Sequence, residues 1–150
     1  MVPRKKRILV VLDTNVFVRA LKTRSADNPN QRTLRLWLLE KRLQLVVSDE
    51  LVDEYLAVFG RILGLADDLI DHWRGRFMTD SRTTVVNLGR RYDKSRDPDD
   101  NLLLATADVG RAAYLITNDL DLLEIPAHFQ ESLPFRIRTP REFLRTIIQP

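Results

Sequence analysis

Residues 8–17 read ILVVLDTNVF: five consecutive apolar residues, with Ile8, Val10 and Val11 β-branched, and then Asp13. A short apolar run without polar alternation marks a strand buried on both faces, the kind found in parallel sheets. A helix is expected to follow Asp13. Farther along, YLITND (114–119) repeats the arrangement, an apolar run closed by an aspartate. Open parallel sheets bind ligands beyond the carboxyl ends of their strands. If these two strands are neighbours, Asp13 and Asp119 converge on one edge. Taken singly, each aspartate reads as the cap of the next helix.

Outward from these stretches, helical periodicity alternates with short apolar runs. The pattern predicts strand Ile8–Leu12, a helix over 31–42, a strand at Leu45–Val47, and helices from Asp49 to about Leu63 and from about Ala66 to Met78. It continues with a strand at Thr84–Leu88, a helix over 99–112, strands at Tyr114–Thr117 and Phe135–Arg138, and a last helix opening on Pro140. Such alternation implies a central, mainly parallel sheet covered on both faces, an α/β three-layer sandwich. No repeat, low-complexity tract or linker divides the chain, so residues 1–150 are expected to form a single domain.

Composition narrows the chemistry. The chain has no cysteine, which excludes disulfides, thiolate metal sites and cysteine nucleophiles and fits a cytoplasmic location. The basic-then-apolar N-terminus does not read as a signal peptide, because Asp13 interrupts the run and no small-residue cleavage site follows. No window approaches the apolar length of a membrane span. Net charge is +3 and the sequence pI is about 9.5, a mild preference for an anionic partner. The two histidines, His72 and His128, fit no H-E-x-x-H pattern; Ser48 lacks a G-x-S-x-G setting; and the five glycines make no phosphate loop. Trp37 and Trp73 sit in helical runs and read as core or interface.

Glu54 borders the apolar stripe of the 49–63 helix, formed by Leu51, Tyr55, Val58, Phe59 and Ile62, whereas Asp53 falls on the opposite side. A carboxylate beside a buried stripe costs stability unless something neutralises it. In RDPDDNLLLATA (96–107), Asp97-Pro98 opens a helix, and Asp99 and Asp100 suit its first turn. Helix capping alone accounts for all three. As a set, however, Asp13, Glu54, Asp100 and Asp119 come from four separate elements that an α/β fold can bring to one edge. Two carboxylates about 4 Å apart repel by roughly 4 kcal/mol at an effective dielectric near 20. Four together shed protons or bind cations, and oxygen-only donors favour Mg²⁺ or Mn²⁺ over zinc.

At these residues the sequence resembles the PIN-domain family, especially bacterial PIN proteins regarded as toxin components of toxin–antitoxin pairs. The matching pieces are LDTNVFVRAL (12–21), VVSDELVDEYLAVF (46–59), DPDDNLLLATA (97–107), YLITNDLDLLEI (114–125) and FRIRTPREFL (135–144). Residues 60–92 carry no signature. The resemblance implies an α/β/α sandwich and a Mg²⁺- or Mn²⁺-dependent ribonuclease whose metal ligands and catalytic residues are Asp13, Glu54, Asp100 and Asp119. Asp99 stays an alternative to Asp100. Asn15 and Thr117 match polar positions of the same pocket, and Asp121 an outer position. Asp49 departs from the proline many relatives have after the serine. The resemblance also implies an RNA substrate, products with a 5′-phosphate and a 3′-hydroxyl, a cognate antitoxin and a homodimer.

Arg96, with Arg90, Arg91 and Lys94, precedes the acidic block and is expected to contact substrate phosphates. Arg136, Arg138, Arg141 and Arg145 read as solvated surface. Three rivals are weighed. An aspartyl phosphatase needs a second acid where Asn15 stands. A receiver domain needs an acidic pair after the first strand and a late lysine, and neither is present. An inactive RNA-binding or scaffolding relative is disfavoured by the presence of all four acids, while a housekeeping RNA-processing nuclease stays open.

Overall fold

The structure, a computed structural model, describes residues 6–89 and 98–148, with the backbone alone for 98–100 and 148. In chain order the elements are β1 (Ile8–Leu12), α1 (Thr14–Lys22), α2 (Pro29–Leu38), β2 (Leu43–Ser48), α3 (Asp49–Leu63), α4 (Asp67–Thr79), β3 (Thr83–Val86), α5 (Pro98–Val109), β4 (Tyr114–Ile116), α6 (Leu120–Leu123), α7 (Ala127–Ser132), β5 (Arg136–Arg138) and α8 (Pro140–Ile148). The strands form one sheet in the order β3-β2-β1-β4-β5, parallel throughout. With helices flanking it, this is the α/β/α sandwich that the alternation implies.

The order explains why β1 is so apolar. It is the central strand, and Val10, Val11 and Leu12 are fully buried. The chain builds outward to β2 and β3 on one side of β1, then returns to place β4 and β5 on the other. The strand order therefore reverses between β1 and β4, and ligand crevices form at such reversals. Leu12 pairs with Ile116, and the Asp13 amide donates to the Ile116 carbonyl at 2.9 Å, so the two chains leave the sheet side by side.

An aromatic cluster of Phe17, Trp37, Tyr55, Phe59, Trp73 and Phe77 binds α1 through α4 together, with ring centroids 4.7–6.5 Å apart. Both tryptophans thus belong to the core. Beneath the edge, the Tyr55 hydroxyl donates to the Leu12 carbonyl, tying α3 to the end of β1. On the other helix of that edge, the Thr106 hydroxyl meets the Ser48 hydroxyl at 2.9 Å. Gly110, just past α5, leaves no room for a side chain: a Cβ there would stand 2.1 Å from Val46 Cγ1.

Local signals set the boundaries, and some differ from the sequence expectation. The helix expected over 31–42 runs Pro29–Leu38: the Asn28 side chain caps it by accepting from the Asn30 amide at 2.9 Å, and Lys41 takes a positive φ of 55°. The third strand is Thr83–Val86, displaced toward the N-terminus of the expected Thr84–Leu88. The α3 helix starts at Asp49 with Ser48 as its cap, so it forms without a proline there. It ends at Gly64 in the left-handed region, φ 64°. Two short helices, α6 and α7, were not expected. Among the described residues, no helix is long and apolar enough to cross a membrane.

Candidate functional site

Beyond the carboxyl ends of β1 and β4 lies an open groove of about 370 Å³. Asp13, Glu54 and Asp119 line it, with Thr14 and Asn15 beside them and Val18, Val58, Ile62 and Leu103 forming an apolar wall. Three of the four expected acids therefore share one cavity. Glu54 reaches it from the border of the α3 stripe, and Asp53 instead faces solvent, paired with Arg74 at 3.3 Å. The fourth acid, Asp100, and its alternative Asp99 lie in the backbone turn of α5 that precedes Leu103, while their side chains lie outside the described residues. Arg96, together with Arg90, Arg91, Lys94 and Asp97, also lies outside them.

The aspartates that follow the two central strands behave differently. Asp119 does cap its helix, accepting from the Asp121 amide at 2.9 Å. Asp13 occupies the cap position of α1, yet its side chain makes no cap hydrogen bond. Its Oδ2 accepts instead from the Thr117 hydroxyl at 2.7 Å and from Asn15 Nδ2 at 3.2 Å. Burial pushes the Asp13 carboxyl above its usual range and the charge of Asp119 adds to this; Thr117 and the nearby Thr14 and Asn15 amides pull the other way. Among the described residues, no lysine or arginine pairs with Asp13 or Asp119.

The polar residues around Asp13 are themselves held. Thr117 is fully buried; its hydroxyl donates to Asp13 and accepts from the Asp119 amide at 2.9 Å, so it links the two acids from beneath and does not line the groove. Asn15 Oδ1 accepts from the Asn118 amide and from Asn118 Nδ2, both at 3.2 Å, and Asn118 Nδ2 also donates to Asn30 Oδ1 at 2.8 Å. Asn30 in turn donates to the Asn28 side chain. Asn30 and Asn118 had no sequence signal, since the network joins residues 88 positions apart. On the opposite wall, the Thr14 hydroxyl donates to Glu54 Oε2 at 3.4 Å. Asp121 is exposed, and both histidines lie at the surface.

The donors suit a hard divalent cation in kind: carboxylate oxygens only, one of them desolvated and repelled by its neighbour. Among the described residues, no three acidic or imidazole side chains stand close enough to hold a metal by themselves.

A family model described as PIN domain matches residues 9–121. No curated protein sequence matches the chain. Among solved structures, the chain is similar to VapBC2 from Rickettsia felis, bound to a DNA fragment from its promoter: TM-score 0.56 and 16% identity over 88% of this chain and 98% of that one. It is also similar to FitAB bound to an IR36 DNA fragment, with TM-score 0.50 and 18% identity over 87% and 94% of the respective chains. Identities this low speak for the fold.

Proposed function

The chain belongs to the PIN-domain family, and from that premise we propose that it is a Mg²⁺- or Mn²⁺-dependent endoribonuclease working at the edge where β1 and β4 end. The observation that supports this most is the meeting of Asp13, Glu54 and Asp119, from three separate elements, around one groove. Asp13, Glu54, Asp119 and Asp100 would hold the metal, with Asp99 the alternative to Asp100. Bound there, the ion would supply a nucleophilic water at neutral pH and relieve charge on the phosphate and the leaving oxygen.

The protein's own part is positioning and electrostatics. The Thr117 hydroxyl and the Asn15 amide fix the orientation of Asp13. The asparagine network orients Asn15 in turn. Asp13 and Asp119, with which no described lysine or arginine pairs, give a cation reason to bind. Val18, Val58, Ile62 and Leu103 give the groove one apolar wall. A carboxylate at the edge accepts the proton of the attacking water.

We also propose that the chain is the toxin of a toxin–antitoxin pair in the cytoplasm, held by a cognate antitoxin and acting as a homodimer. The supports are the five sequence blocks shared with such PIN proteins and the fold likeness to VapBC2 and FitAB, both captured on DNA. Cleavage of structured RNAs with Mg²⁺, Mn²⁺ or EDTA tests the nuclease. Asp13→Ala is expected to reduce metal-dependent cleavage to the EDTA background while retaining the wild-type circular dichroism spectrum. Undiminished cleavage by a folded Asp13→Ala protein contradicts it.

A further inference from the structure

A second groove, of about 290 Å³, lies between α2 and α8. Arg32 and Arg35 line it from one face of α2, three positions apart, and Arg42 joins them from the segment leading into β2. Leu36 and Leu144 contribute apolar surface, and Glu40 is the acid in the lining. All three arginines are exposed, and among the described residues none forms an ion pair. Like charges gathered around one depression, against a single glutamate, repel one another unless an anion lies between them.

Position connects this groove to the acidic edge. Asn30, in the first turn of α2, is bonded to Asn118, the residue beside Asp119. Arg32 follows two residues later. Arg42 immediately precedes β2, so it sits at the opposite end of a six-residue strand, about 20 Å from the edge at 3.3 Å per residue. The arginines therefore mark out a course starting near the acidic groove and descending the flank of the molecule. A guanidinium presents a planar fork that matches phosphate oxygens.

We propose that the α2–α8 groove binds the phosphates of an RNA strand whose reacting bond lies at the acidic edge. This rests on the ribonuclease reading and extends it to a remote, sequence-independent contact. A free phosphate and an acidic protein segment offer related charge, and the test separates them. Fluorescence anisotropy in EDTA, where no cleavage occurs, would compare wild type, R32A/R35A/R42A and R32K/R35K/R42K on an RNA long enough to reach Arg42. The alanine variant is expected to bind about tenfold more weakly and to lower the logarithmic salt slope by about 2, at ~0.7 per lost phosphate contact. The lysine variant should keep most of that slope. Cleavage of a substrate too short to leave the acidic groove should proceed at the wild-type rate in both.

Unchanged affinity and slope in an alanine variant that melts like wild type overturns the proposal. So does loss of binding to an acidic peptide with RNA binding intact, which reassigns the groove to a protein partner. Displacement of RNA by inorganic phosphate, beyond that caused by chloride at equal ionic strength, points to a discrete anion pocket and also overturns it. A chain that binds RNA through these arginines but cleaves none overturns the nuclease reading alone.

Discussion

Asp80 and Asp13 are shielded carboxylates at opposite ends of the same sheet. Asp80 stands before β3, and its two oxygens accept from the Arg82 amide, Nε and Nη2 at 2.8–2.9 Å and from Arg76 Nη1 at 3.3 Å. The Arg82 guanidinium also donates to the Leu38 carbonyl, while the Arg82 carbonyl accepts from Trp37 Nε1 at 3.0 Å. Hydrogen bonding from Arg82 holds the Asp80 carboxyl well below the usual range. Asp13, past the end of β1, has a hydroxyl and an amide for company, and burial raises it. The fold therefore neutralises one acid with arginines and, among the described residues, gives the other no cationic partner. On the proposed function, that contrast separates a carboxylate that holds structure together from one that would hold a metal.

The comparison can be broken at either end. Asp80→Asn should cost about 2 kcal/mol in urea unfolding, the scale of a charge-assisted hydrogen-bond set, and leave RNA cleavage intact. A large loss of cleavage without loss of stability would contradict the division of roles. The same pair of proteins sharpens it through pH. Because the folded-state pKa of Asp80 lies below its unfolded value of 3.8, its contribution is fully present above that value and is lost as pH falls toward the folded-state value. The stability gap between wild type and Asp80→Asn should thus be constant near neutrality and shrink below about pH 4; a gap that widens in acid would contradict the pairing. Tyr55→Phe, which removes the donor to the Leu12 carbonyl, should cost about 1 kcal/mol, with cleavage falling more than in Asp80→Asn. Equal cleavage in the two would show that this tie does not position the edge.

Much of this contrast was legible from local pattern. The apolar runs ending at Asp13 and Thr117 gave the two central strands and the side on which their acids emerge. Helical spacing placed Glu54 toward the apolar stripe and Asp53 away from it, as found. What pattern could not supply was pairing across the chain. The exchange of Asp13 from cap to Thr117 partner joins residues 104 positions apart, and nothing near Asp13 announces it. The asparagine network and the Arg32, Arg35 and Arg42 groove depend on α2 meeting β4 and α8, which single-segment periodicity does not encode. The short helices α6 and α7 span four and six residues, too few to establish a 3.6-residue period.

The central claim is that Asp13, with which no described lysine or arginine pairs, binds a divalent cation. Thermal melting of wild type and Asp13→Asn, each with and without Mn²⁺, tests it most directly. Without metal, Asp13→Asn should melt above wild type, since a desolvated charge has been removed. At a hundredfold excess over its dissociation constant, Mn²⁺ should add about 2.7 kcal/mol to the wild type, a rise of about 5–10 °C, and much less to Asp13→Asn. A wild-type melting temperature indifferent to Mn²⁺, or an equal rise in both proteins, would contradict the claim.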